Sequence, residues 1–184
     1  MKRFFDVLFA LLIAPLAIFL VLVSAVLIRL SSPGPVIFRQ TRVGRNQKLF
    51  TCLKLRTMRA GTPDLASHMT NSGLITPIGR VLRRYKLDEI PQVWNIVRGD
   101  MSFVGPRPCL PSQNELIEAR HALGVYNIRP GITGISQVSG VDMSRPLLLA
   151  KLDATYLTSM NLKHDIKLIL ATAFGAGRGD RVVT

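Results

Sequence analysis

Residues 4–28 read FFDVLFALLIAPLAIFLVLVSAVLI, twenty-five positions in which Asp6 is the only charge. At about 1.5 Å per residue, a helix of this length crosses a hydrocarbon core of about 30 Å. A cleaved signal peptide draws support from Lys2 and Arg3 ahead of the run and from Val23-Ser24-Ala25 near its end. The run is too long for it, since the apolar core of a signal peptide has about 7–15 residues. Two readings remain. Positive flanks favour the cytoplasmic side, and Lys2 and Arg3 precede the run while Arg29, Arg39, Arg42 and Arg45 follow it. A spanning helix must export one set, whereas a hairpin keeps both inside. Pro15 removes a backbone donor and crowds the carbonyl of Leu11, which favours a kink, although membrane helices tolerate proline. On these residues alone, a kinked spanning helix and a hairpin stand level.

Ser31-Ser32-Pro33-Gly34-Pro35 ends the helix and divides a membrane segment, residues 1–34, from a domain of residues 35–184. About 150 residues suffice to bury a core. Val36 to Arg39 and Leu49 to Met58 read as strands, the second placing Lys54 and Arg56 on one face and Leu53 and Leu55 on the other. Pro63 to Gly73 reads as a polar loop, and Ile78 to Tyr85 has helical spacing. A helical pattern opens at Asp88 and closes at Arg98-Gly99, with Ile90, Val93, Trp94 and Val97 on one face. A short strand, Ser102–Val104, leads into Gly105-Pro106-Arg107-Pro108. Helices are expected over Ser112–Ala122, Pro146–Met160 and His164–Phe174, with a turn-rich stretch from Arg129 to Gly140. The last helix is apolar enough to lie against a membrane. The class is a small mixed α/β domain behind a membrane segment.

Mean hydropathy is +0.28, with much of the apolar excess in the first thirty residues. The chain carries 24 basic and 11 acidic residues, a net charge of +13. Arginine outnumbers lysine, and its planar fork suits phosphate recognition. Anionic partners follow: nucleic acid, the inner leaflet or phosphorylated small molecules. No nucleic-acid-binding module is recognisable and the single tryptophan offers little base stacking, so nucleic acid is not expected. Cys52 and Cys109 form no C-x-x-C pair, and His68, His121 and His164 lie far apart, consistent with two reduced thiols rather than a metal site.

Chemistry concentrates in Arg83-Arg84-Tyr85-Lys86-Leu87-Asp88-Glu89. An Asp-Glu pair at a helix start is most often a cap. Against that stand three features of this pair. A helix N-terminus favours bound phosphate. Arg83 and Arg84 lie within about one turn of the pair. A carboxylate can attack phosphorus while an adjacent acid helps to hold a divalent metal. Arg107, between two prolines, sits on a stiff loop, and Arg129 precedes the glycine-bearing Pro130-Gly131-Ile132-Thr133-Gly134. These arginines together point to a phosphate site.

At these residues the chain resembles the monotopic phosphoglycosyl transferases, bacterial sugar transferases that begin glycan assembly on a polyprenyl phosphate. The resemblance rests on Lys54-Leu55-Arg56-Thr57-Met58, on Leu87-Asp88-Glu89-Ile90-Pro91-Gln92 and on Gly99 through Pro108. It continues through Arg129-Pro130-Gly131-Ile132-Thr133-Gly134 and Gln137-Val138-Ser139-Gly140. It implies a re-entrant helix hairpin over residues 1–34, broken at Pro15, and interfacial amphipathic helices under a catalytic domain at the cytoplasmic face of the bacterial inner membrane. It also implies a magnesium-dependent reaction in two steps. Asp88 would attack the sugar-bearing phosphate of a UDP-sugar and expel UMP, with Glu89 assisting. Polyprenyl (undecaprenyl) phosphate would then take the phosphosugar. The expected catalytic residues are Asp88 and Glu89; the phosphate or substrate contacts are Arg83, Arg107, Arg129, Lys54 and Arg56, and the metal is expected at Asp88. An acetamido-sugar donor, contact with inner-leaflet phospholipids and an oligomer belong to the same expectation. The chain has Ala14-Pro15 where the family commonly has Ser-Pro. It has Gly134-Ile135-Ser136-Gln137-Val138-Ser139-Gly140-Val141 where many members read Gly-Trp-Ala-Gln-Val-Asn-Gly-Arg, so a tryptophan and an arginine are missing. Two other functions fit the composition: a membrane-anchored basic binding protein, and a phosphohydrolase that uses the same aspartyl phosphate chemistry.

Overall fold

A computed structural model describes residues 1–62 and 72–176. The first element, α1 (Lys2–Ser31), is one helix of thirty residues. Helical backbone continues through Pro15, so α1 is not the pair of helices broken at that residue that the resemblance implies. A proline removes only its own donor, and the apolar turns on either side keep theirs. Ser32 turns to extended backbone and ends the helix.

The chain then makes a hairpin of β1 (Ile37–Val43) and β2 (Leu49–Leu55), antiparallel, with Ile37 opposite Leu55 and Val43 opposite Leu49. Asn46 and Gln47, both at positive φ, make the turn. β1 runs four residues beyond the expected Arg39, and β2 stops at Leu55, three short of Met58. Of the loop expected over Pro63–Gly73, residues 63–71 lie outside the described residues, and Ser72–Leu74 forms a short 3-10 turn.

Helix α2 (Pro77–Arg84) starts at Thr76, whose side chain accepts a hydrogen bond from the Gly79 amide at 3.0 Å, with proline in the first turn. Gly79 presses against β2's exit so closely that a Cβ there would lie 2.1 Å from the Thr57 carbonyl oxygen. Next come α3 (Gln92–Arg98) and β3 (Ser102–Val104), followed by α4 (Asn114–Ala122) and β4 (Gly131–Thr133). α5 (Ile135–Val138), α6 (Pro146–Ser159) and α7 (Leu162–Ala173) complete the domain. β3 and β4 pair in parallel, Ser102 opposite Gly131 and Val104 opposite Thr133. β3 is the strand expected at Ser102–Val104, while β4 and α5 lie inside Arg129 to Gly140, the stretch expected to be only turns. Among the described residues the fold is mixed helix and strand, with two small two-stranded sheets rather than one large one.

α1 belongs to the core at both of its ends. Ala10 is fully buried with Ile96, Met101, Phe103, Tyr156 and Leu168, while Ile28 packs with Leu55 and Leu82. Polar bonds pin the same ends. Lys2 pairs with Asp165 at 2.5 Å, and Arg3 donates to the carbonyls of Ile96 at 2.5 Å and Val97 at 3.0 Å. Asp6, buried despite its charge, accepts from Ser102 Oγ at 3.0 Å and the Phe103 amide at 3.3 Å. At the far end, Arg56 donates to the carbonyls of Pro33 at 2.6 Å and Ser32 at 2.8 Å. The opposite face of α1 is an unbroken exposed stripe: Phe4, Leu8, Leu12, Leu16, Phe19, Leu22, Val26 and Leu30. α7 exposes Leu162, Ile166 and Leu170 at four-residue spacing, with Phe174 just beyond, and buries Asp165 and Leu168 on its other side.

Candidate active site

The carboxylate pair lies in neither α2 nor α3. α2 ends at Arg84, Lys86 takes a left-handed conformation (φ 55°), and Leu87–Glu89 forms a 3-10 turn before α3 opens at Gln92. Pro91 occupies the cap position of α3 and no side chain caps it, so the bland reading of Asp88 and Glu89 as caps of this helix does not hold. The phosphate-binding helix start expected at Asp88 is also missing, because the helix begins four residues later.

Asp88 and Glu89 are both buried, at 7% and 8% exposure. Two cations from separate elements meet Glu89. Arg107 Nη2, from the loop after β3, is 2.7 Å from Glu89 Oε1, and Lys54 Nζ, near the end of β2, is 3.5 Å from the same oxygen. A carboxylate out of water is stable as an anion only with such partners. Arg83, in the last turn of α2, donates through Nε to Thr57 Oγ1 at 2.9 Å. Its Nη1 is buried without a hydrogen-bond partner among the described residues, a donor suited to a phosphate oxygen.

The structure brings Lys54, Asp88, Glu89 and Arg107 together, with Arg83 one turn upstream of the pair. It does not bring Arg56 or Arg129. Arg56 lies one residue past the end of β2 and both of its terminal nitrogens hold the linker at Ser32 and Pro33. Arg129 Nε donates to the carbonyl of Gly99 at 2.8 Å, at the far end of α3 and about 10 Å of helix away from the pair. Burial, together with the neighbouring Arg3 and Arg45 guanidiniums, pulls Arg129 below the ordinary arginine value. Pro15 lies on the exposed middle of α1.

Three participants were not legible from local sequence. Arg42 donates through Nη1 to the Pro108 carbonyl at 2.9 Å, and Arg120 and Asp153 form a buried pair at 2.6 Å behind Arg107. A signal for the second pair exists in the sequence. Arg120 follows Leu116 and Asp153 follows Leu149 by four residues, so each charge occupies an apolar position of its helix.

Beside Glu89 opens a cavity of about 330 Å³, walled by Ile13 of α1, Ile90, Val93, Phe103, Ile132 and Ile169, with Arg84 and Lys86 also at its lining. A largely apolar chamber beside a charged pair suits a ligand with a phosphate head and a hydrocarbon tail. For a metal, no group of three His, Cys, Asp or Glu side chains exists among the described residues. Magnesium does not need one, because it commonly binds through one or two carboxylates with substrate phosphates and water. The donor set, Asp88 beside Glu89, fits a magnesium ion that arrives with a diphosphate.

The family model described as bacterial sugar transferase matches residues 1–178. A UDP-glucose:undecaprenyl-phosphate glucose-1-phosphate transferase of Caulobacter vibrioides is 41% identical, over 93% of this chain and 67% of its own length. A UDP-N-acetylgalactosamine-undecaprenyl-phosphate N-acetylgalactosaminephosphotransferase of Aeromonas hydrophila is 34% identical over 95% of this chain and 44% of its own. The UDP-glucose:undecaprenyl-phosphate glucose-1-phosphate transferase of Escherichia coli is 37% identical over 95% and 39%. The chain thus spans about two thirds of the first relative and less than half of the other two. With a match over nearly the whole chain and a charged carboxylate pair where the motifs converge, the protein belongs to the bacterial sugar transferases, a family of sugar phosphotransferases.

Proposed function

We propose that the protein transfers a sugar 1-phosphate from a UDP-sugar to undecaprenyl phosphate, through a phosphosugar carried on Asp88. The observation that supports this most is the buried carboxylate pair with Arg107 at 2.7 Å and Lys54 at 3.5 Å on Glu89. Attack by a carboxylate on a diphosphate is repelled unless cations stand at the site. Glu89 holds two cations next to Asp88 and so lowers that repulsion.

In the first step, an Asp88 carboxylate oxygen attacks the sugar-bearing phosphorus. The bond from that phosphorus to the bridging oxygen breaks, and UMP leaves with the oxygen. Arg83, with its unpartnered Nη1, and Arg107 meet the phosphate oxygens. Asp88 would hold a magnesium ion that arrives with the diphosphate, and such an ion would supply charge neutralisation for the leaving group. In the second step, a phosphate oxygen of the lipid attacks the same phosphorus and the Asp88 carboxylate is released. Atoms and charge balance, and no hydrolysis occurs while water is excluded. The apolar cavity at Glu89 suits the lipid acceptor.

The donor is a UDP-sugar. Relatives name both a glucose and an acetamido-sugar, so UDP-glucose and UDP-N-acetylgalactosamine are the first pair to compare. The acetamido-sugar that the resemblance implies is part of this proposal, as is an oligomer. We also place the domain at the cytoplasmic face of the inner membrane, with α1 embedded from that face and inner-leaflet phospholipids against its exposed stripe and α7. Support comes from both ends of α1 being pinned to one domain and from the basic residues at both flanks. The test is release of UMP from UDP-sugars by protein in nanodiscs, with and without undecaprenyl phosphate. UMP and lipid-linked sugar in equal amounts support the transferase; free sugar phosphate without lipid would make it a phosphohydrolase.

A further inference from the structure

Arg107 is carried by Gly105-Pro106-Arg107-Pro108-Cys109. Two of these residues lack an amide hydrogen, and the carbonyls of residues 106 to 109 all need donors from elsewhere. Each has one, from a different residue. The Gly131 amide donates to Pro106 at 2.9 Å and the Val43 amide to Cys109 at 2.9 Å. Arg120 Nη1 donates to Arg107 at 2.9 Å and Arg42 Nη1 to Pro108 at 2.9 Å.

The bond from Arg120 falls on Arg107 itself. Arg120 is 1% exposed and Asp153 2%. Asp153 Oδ2 takes Nε of Arg120 at 2.9 Å and Nη2 at 2.6 Å, while its Oδ1 accepts from Ser136 Oγ at 2.8 Å. Three helices, α4, α5 and α6, therefore lock one guanidinium so that its remaining corner points at the Arg107 carbonyl. Burial works against the Arg120 charge, and the Asp153 carboxylate together with the neighbouring Cys109 and Tyr126 outweighs it, so Arg120 lies above the ordinary arginine value. A pair that only joined α4 to α6 would need no third bond, and apolar residues often serve such a purpose as well.

We propose that Arg120 and Asp153, supported by Ser136, are positioning residues that aim Arg107 at Glu89. The proposal rests on the transferase reading of that pair. Arg120→Lys keeps a cation for Asp153 but cannot bond it at two points and reach the carbonyl as well. It is expected to lower kcat about tenfold or more while KM for the UDP-sugar moves less than about threefold. In an Arg107→Ala background the same change is expected to cause less than about a twofold further loss, because the group it positions is gone. Ser136→Ala leaves the ion pair intact and serves where Arg120→Lys does not express. A loss of about two- to fivefold is expected, again absent with Arg107→Ala. Losses that multiply instead would show a purely structural pair and overturn the proposal.

Arginine side-chain NMR reads the placement without turnover. Slow rotation of the Arg107 guanidinium in the wild type, lost in Arg120→Lys, is expected. Equally slow rotation in both would overturn the positioning role. Wild-type protein inactive on every UDP-sugar would sink the transferase reading alone and leave the NMR comparison to decide this one.

Discussion

At the residue scale, two adjacent carboxylates do different things because of what surrounds them. Glu89 is held by Arg107 and Lys54, and in the proposed mechanism Asp88 is the nucleophile. Asp88→Asn keeps the shape and loses the attacking anion, so UMP release is expected to fall at least about a thousandfold, read by a coupled UMP assay. Arg107→Ala removes the closer of the two cations that meet Glu89. An expected loss of about 10–100-fold in kcat/KM goes with a destabilisation of about 1–3 kcal/mol, read from thermal unfolding in one detergent. Cys52 and Cys109 are 1% and 0% exposed, and burial pushes the Cys52 thiol up. Both should stay unreactive toward a thiol reagent at pH 8 until the protein unfolds; fast reaction of either would contradict the packing. Each site residue was legible only where local chemistry marked it. Alternation put Lys54 and Arg56 on one face, but β2 ends at Leu55 and their partners diverge, 89 for one and 32–33 for the other. Nothing in the spacing could tell which of two strand-end cations meets a carboxylate thirty-five residues away.

At the scale of elements, α1 decides how the domain meets the membrane. Its helical nature was plain from residues 4–28, as was the stop at Ser32-Pro33-Gly34. Its continuity through Pro15 was not, because a proline permits both a break and a kink, and contacts elsewhere settle which. The charge at Asp6 looked anomalous in an apolar run; it proves to be a docking group for β3. Asp6→Ala strands the Ser102 hydroxyl and Phe103 amide, at a cost of about 1–3 kcal/mol, whereas Leu12→Ala on the exposed stripe should shift unfolding little. If the two lowered the melting temperature equally, α1 would not be docked as described. Topology has its own test. Single cysteines replacing Lys2 and Leu30 should both be labelled from the cytoplasmic side only. Labelling of either from outside the cell would contradict the same-face placement. The short strand β3 was read from the sequence with its observed bounds, whereas β4 escaped a pattern reading because three residues carry too little periodicity, and their parallel pairing joins segments nearly thirty residues apart.

For the whole molecule, a net charge of +13 and two apolar stripes support the proposed placement on an anionic leaflet. The composition announced anionic partners, and the motifs chose among them where charge could not. With no three-ligand metal cluster among the described residues, magnesium should bind weakly to the free protein and depend on the donor. Chelation is therefore expected to abolish turnover while leaving the melting temperature of substrate-free protein unchanged. The account as a whole stands on covalent capture of a glycosyl phosphate by residue 88. The most direct measurement is intact and peptide mass spectrometry after incubation with UDP-sugars and no lipid acceptor. The account predicts a single adduct of one sugar phosphate on the peptide holding Asp88, absent in Asp88→Asn and discharged by undecaprenyl phosphate. Lipid-linked product that accumulates while Asp88 stays unmodified at every time point would contradict it.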